Sequence, residues 1–231
     1  ALKSPIKDNI VPDINVKAKI ENKKDILKAN IDSNIVDFNL DYNKDKKLTK
    51  VYGDKFTINY DVDKKKLTNG EGRIPFEIYH MVNYLDFVAK DNKIQIKELK
   101  LADKTNKNSY FVAKGNANLD NGEFKIDYEG NSTSIKRKVK ENDLILSFDG
   151  KGKIENKNNI LSSQGQINDL SFEYIGKIEK INGTYDLKKV RENIEANVDT
   201  KIASIGYDKY NFKNFNLNVN YSGNQVKIKD F

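Results

Sequence analysis

The 231-residue chain reads as an all-β protein, a long antiparallel meander interrupted by one short helix. Two observations predict this. In the closing stretch "FNLNVNYSGNQVKIKDF", Phe215, Leu217, Val219 and Tyr221 alternate with Asn214, Asn216, Asn218 and Asn220. A period of two places the apolar side chains on one face of a strand and the amides on the other. Turn chemistry also recurs between such segments, as at Asn69-Gly70, Asp120-Asn121-Gly122 and Asn182-Gly183.

The alternating segments run almost the length of the chain. Ile14, Val16, Ala18 and Ile20 form the first, Leu27, Ala29 and Ile31 the second, and Val36, Phe38, Leu40 and Tyr42 the third. After the turn "YNKDKK" come Phe56, Ile58, Tyr60 and Val62. Phe124, Ile126 and Tyr128 follow, then Leu144, Leu146 and Phe148, then Leu170, Phe172 and Tyr174. Ile194, Ala196 and Val198 precede the final hairpin, in which Ser222-Gly223-Asn224 is the turn and Val226 and Ile228 resume the alternation. Gly-led strand starts, such as Gly152-Lys-Ile154, Gly165-Gln-Ile167 and Gly183-Thr-Tyr185, mark bulges or bends in the sheet.

The helix is predicted in "RIPFEIYHMVNYLDFVAK", where Ile78, Met81, Val82, Leu85 and Val88 follow a helical stripe. Pro75 suits its first turn, which sets its span at about residues 75–88. The competing reading is a strand through Ile74, Phe76 and Ile78, with His80 on the apolar side. The organisation that follows is an N-terminal β segment over 1–74, an interruption over 75–92 and further β repeats over 93–231.

Composition narrows the function. The chain is 37% hydrophobic and 32% charged, with no Cys, no Trp, one Met and one His. Without Cys, and with His80 alone, nucleophile–base catalysis and soft-metal binding lack their residues. Asp41-Tyr-Asn43-Lys-Asp45 matches the start of a calcium loop, but Lys46 stands where the turn glycine belongs and Tyr52 where the bidentate Glu belongs. Gly70-Glu-Gly72 and Gly150-Lys-Gly152 lack the rest of a phosphate cradle. The reading is therefore a non-enzyme with no catalytic residue, metal or cofactor. The formal charge of +7 comes from Lys interspersed with acids, densest at Lys136, Arg137 and Lys138, a candidate contact for anionic head groups. Nucleic acid is disfavoured as a partner because the aromatics sit on the apolar parity and are not interleaved with Lys. No apolar run approaches the length of a membrane-spanning helix. The abrupt start at "ALKSPIKDNIVPD" is read as that of a fragment of a longer protein, monomeric as a fragment.

Something must cover the apolar face. Burying one large apolar side chain is worth roughly 1.5–3 kcal/mol, so leaving four in water forfeits about 6–12 kcal/mol, the stability of an ordinary domain. Three coverings compete: a second sheet in a β-sandwich, the interior of a β-solenoid, or a greasy ligand in a curled sheet.

The segments "NKIQIKELKLADKTNKNSYFVAKGNANLDNGEFKIDYEG" and "GQINDLSFEYIGKIEKINGTYDLKKVRENIEANVDTKI" resemble the AsmA/TamB-like proteins, in which an alternating strand, a polar turn and a Gly-led strand repeat. "IGYDKYNFKNFNLNVNYSGNQVKIKDF" is similar again, and "GRIPFEIYHMVNYLDF" looks like the Pro-led amphipathic segments of that family. The resemblance covers residues 94–231 and, in pattern only, residues 14–62. It implies a long curved antiparallel sheet forming a hydrophobic groove (a β-taco) in the bacterial periplasm, held by an inner-membrane anchor in the full-length protein. It also implies phospholipid acyl chains as cargo between the two membranes, or assistance to outer-membrane protein assembly with a BamA-family partner, or both. On this reading the groove is lined by Phe56, Ile58, Tyr60, Phe124, Ile126, Phe172, Phe215, Leu217 and Val219. The alternative function is a secreted or surface-displayed sandwich or solenoid that binds a protein or glycan, as an adhesin does.

Overall fold

The structure, a computed structural model, describes residues 15–78, 81–104, 109–139, 142–222 and 225–230. They form strands β1 (Val16–Lys23), β2 (Ile26–Ser33), β3 (Phe38–Asn43), β4 (Leu48–Gly53), β5 (Phe56–Asp61), β6 (Lys66–Ile78), β7 (Met81–Lys90) and β8 (Lys93–Asp103). They continue with β9 (Tyr110–Asn118), β10 (Glu123–Val139), β11 (Asn142–Lys157), β12 (Ile160–Glu173), β13 (Lys177–Val190), β14 (Asn193–Tyr207), β15 (Tyr210–Ser222) and β16 (Gln225–Asp230). The 16 strands lie in chain order in a single open sheet, from β1 at one edge to β16 at the other. The all-β antiparallel meander is thus the architecture. Among the described residues there is no second sheet to complete a sandwich, and the registered pairings are antiparallel, unlike the stacked parallel coils of a solenoid.

The helix expected over residues 75–88 is a correction: the described residues of this stretch belong to β6 and β7. Residues Asn69 to Ile78 pair in register with Lys90 to Met81, so the backbone hydrogen bonds run between strands. Along one parity of β7, Met81 at 5%, Asn83 at 3%, Phe87 at 4% and Ala89 at 3% exposed are buried and Leu85 is half-buried, whereas Val82 on the other parity is 53% exposed. The helical spacing arose from apolar residues on both faces of a strand. Pro75 lies where β6 has run past the first residue of β5, which pairs with Gly72, so no β5 residue needs its missing N–H. His80 lies outside the described residues.

Contacts divide the chain into two units, one from the described parts of Val11–Leu101 and Ala113–Gly122, the other from those of Ala102–Val112 and Glu123–Phe231. The first holds a buried cluster of Phe56, Leu67, Phe87 and Ala89, against which Phe38, Val51, Ile58, Ile74, Leu85 and Ile94 pack. In the second, the described residues of β10–β15 are half-buried or exposed apart from Gly130, Gly150, Thr200 and Ile202. No described side chain in the protein is both large and fully enclosed.

Turns are closed by local polar groups. Asn43, the middle residue of the calcium-like triplet, accepts the Lys46 N–H at 2.8 Å on its Oδ1, and so serves the β3–β4 turn. Asn92 accepts the Leu67 N–H at 2.7 Å and donates to Asp120 at 2.6 Å, tying the β7–β8 turn to its neighbours.

Candidate functional site

Directly paired residues of an antiparallel ladder share a face, so the register itself traces each face across the sheet. In the first unit one row runs Ile20, Ala29, Leu40, Val51, Ile58, Gly70, Ala89. The next row joins Gly53, Phe56, Gly72 and Phe87. On the other side, Leu27, Tyr42, Thr49, Tyr60 and Leu67 are joined across a register shift at Asn59/Tyr60. Phe56, Ile58 and Tyr60 therefore stand on one apolar face. Phe56 is 8% exposed within the buried cluster, and Tyr60, at 37%, is open.

In the second unit Ile126 joins Ile154, Ser163, Leu187, Ala196, Tyr221 and Val226. The Val219 row comprises Tyr128, Gly152, Gly165, Tyr185, Val198, Val219 and Ile228. The Leu217 row comprises Gly130, Gly150, Ile167, Gly183, Thr200 and Leu217. Phe215 ends a row through Phe148, Leu170, Ile181 and Ile202, and Phe172 joins Leu146, Ile178, Ile205 and Phe212. Phe124 joins Asn156, Leu161, Lys189 and Ile194, the most polar end of the face. The register brings Phe124, Ile126, Phe172, Phe215, Leu217 and Val219 onto one face of this unit. The opposite parity is polar: Asn220 donates to Asn197, and Asn218 and Asn216 pair with Asp199 and Lys201.

The face survives a break in the alternation. Ile178 and Ile181, Ile205 and Ile202, and Phe212 and Phe215 are each three residues apart, yet they stay in register across β13, β14 and β15. Lys180 on β13 and Asn214 on β15, each inside one of these steps, take left-handed φ values of 52° and 59°. The extra residue restores the parity, and the Phe212 and Phe215 rings lie 6.4 Å apart on the same side.

Glycines set the depth of this face. A Cβ on Gly152 would stand 2.7 Å from the Tyr128 hydroxyl and 2.8 Å from that of Tyr185, and Phe148 similarly crowds Gly130. Tyr128 and Tyr185 thus fold onto the glycine pair 152/165 from strands on either side. Tyr185 also accepts a long hydrogen bond, 3.4 Å, from Ser163 Oγ. Burial pushes the Tyr128 phenol above its ordinary range, against a smaller opposing effect of hydrogen bonding with Ser163. This hydroxyl cluster and Thr200, whose Oγ1 donates to the Leu217 carbonyl, are polar features in the middle of the face among the described residues. Alternation alone does not reveal the cluster, although glycines on the apolar parity beside tyrosines are a readable signal.

Lys136, Arg137 and Lys138 are consecutive on β10, so they cannot all share a face. The register sets Arg137 opposite Leu144, and Lys136 and Lys138 opposite Ile145 and Asp143. Their side chains lie outside the described residues.

Comparison with protein-family models, curated proteins and solved structures gives no match.

Proposed function

We propose that this chain binds phospholipid acyl chains along the apolar face of its open sheet, as a groove segment of an AsmA/TamB-like envelope protein. The observation that carries the reading is the register. It gathers the apolar residues onto one parity in each unit, and among the described residues no second layer lies over them. A hydrocarbon chain needs only a dry surface, and each methylene it buries contributes about 0.8 kcal/mol. The face offers such a surface, with few polar groups to recognise a water-soluble ligand. The periplasmic location, the inner-membrane anchor of the whole protein and a BamA-family partner follow from the sequence resemblance and belong to the same proposal.

Leu217→Arg tests it. On an open face the arginine runs along the surface and keeps its guanidinium in water, whereas in a closed core it unfolds the protein. The variant is expected to keep its strand circular dichroism and a melting temperature within several degrees of the parent. It is expected to lose the thermal stabilisation that monomeric phospholipid gives the parent. Unfolding of Leu217→Arg with a normal Asn216→Arg means that the face is a closed core and overturns the proposal.

A further inference from the structure

We infer that the end of the second unit carrying the Tyr207–Tyr210 hairpin docks onto the surface of an anionic phospholipid bilayer. The β10–β11, β12–β13 and β14–β15 connections all lie at this end of the antiparallel strands. It collects the large apolar side chains that a soluble surface does not normally display together: Ile175 is 64% exposed, Tyr207 61%, Tyr210 57% and Phe212 56%. The opposite end of these strands also exposes large apolar residues, Val226 at 61% and Ile228 at 57% with Val190 and Ile194, but they are all aliphatic, and the exposed aromatic rings of this unit are gathered at the Tyr207–Tyr210 end.

The chemistry fits a membrane interface. Tyrosine presents an apolar ring and a polar tip, which suits the head-group level. Lys209 lies 5.5 Å from the Tyr210 ring centre, and Lys213 follows on the same strand. Lys136, Arg137 and Lys138 stand near the end of β10 that belongs to this end of the strands. Among the described residues the acids at this end are Asp143, Glu173, Glu179 and Asp208, and Glu179 is held by Lys177 at 2.6 Å. Cations outnumber acids, so the end is complementary to anionic head groups. The apolar ladder also reaches the tip. Tyr207 pairs with Tyr210, and the next apolar pair inward is Ile205 with Phe212. A chain leaving the bilayer here meets Phe212 and then Phe215. The docking inference stands on the tip alone and does not need the face to carry lipid.

The chain has no cysteine, so single labels are clean. Lys209→Cys and Glu192→Cys, at opposite ends, are labelled with an environment-sensitive fluorophore and mixed with vesicles of phosphatidylethanolamine and phosphatidylglycerol. A blue shift is expected at 209 and none at 192. Unlabelled protein is expected to float with these vesicles and not with phosphatidylcholine vesicles. Tyr210→Ser/Phe212→Ser, with its fold verified by circular dichroism, is expected to bind roughly tenfold more weakly. Absence of flotation, equal shifts at both labels or unchanged binding by the double variant overturns the inference. So does loss in that variant of a self-association measured without vesicles, which makes the tip a contact between copies. Flotation without capture of monomeric phospholipid leaves docking intact and removes the acyl-chain proposal. The reverse result removes docking alone.

Discussion

Tyr185 lies across Gly165, its direct partner on the neighbouring strand, with its hydroxyl 2.8 Å from where a glycine Cβ would stand. The aromatic ring occupies the volume that a side chain on Gly165 would fill. The face there is made of rings laid flat on backbone, which gives a single-layer sheet a dry surface without a second layer.

Gly165→Ala is therefore expected to be costly. Its Cβ would meet the Lys151 carbonyl oxygen at 2.6 Å, a backbone atom with little freedom to retreat. The expected loss is about 1–3 kcal/mol, read as a lower urea midpoint at unchanged slope. Adding Tyr185→Ala does not restore it, because the carbonyl contact remains.

Asn214 is predicted to tolerate glycine and reject valine. Its φ of 59° lies in the left-handed region that asparagine and glycine enter readily and β-branched residues do not. Asn214→Gly should unfold within a few tenths of a kcal/mol of the parent, and Asn214→Val about 1–3 kcal/mol earlier. Equal stabilities would mean that the three-residue step between Phe212 and Phe215 is not held as described.

Asp61 links the first unit to pH. It accepts the Lys64 backbone N–H at 3.0 Å and faces the Lys64 ammonium at 3.1 Å. These contacts, the backbone hydrogen bond first, hold its carboxyl below the usual carboxylate range. A depressed folded-state pKa gives stability that is present above the unfolded-state value and is lost as pH falls through the folded one. Acid titration of the melting temperature should show this loss below the ordinary carboxylate range. Asp61→Asn should flatten that part of the curve, and an unchanged curve would contradict the assignment.

Much of this was legible in the sequence because period two is a local property. Phe215, Leu217 and Val219 declare a face without reference to any neighbour, and the register then carries that face to Val198, Thr200 and Ile202. The stretch over 75–88 misled for a physical reason. Buried Asn83 interrupts the apolar parity of β7, while Val82 and Val88 stand on the other parity, so the apolar residues alone mimic a helical stripe. The pairing of Tyr128 and Tyr185 over Gly152 was hidden because the residues concerned lie on different strands, and no single segment records which strands meet. Lys136, Arg137 and Lys138 formed a patch in the linear sequence that the alternation of a strand divides.

The most direct test of the acyl-chain face is a photo-crosslinking scan through residues 215–220 with a phospholipid in the sample. Trapping of lipid is predicted at 215, 217 and 219, with little at 216, 218 and 220, because successive residues of β15 alternate between the apolar ladder and the asparagine ladder. Equal labelling at all six positions, or labelling confined to the even ones, would contradict the account.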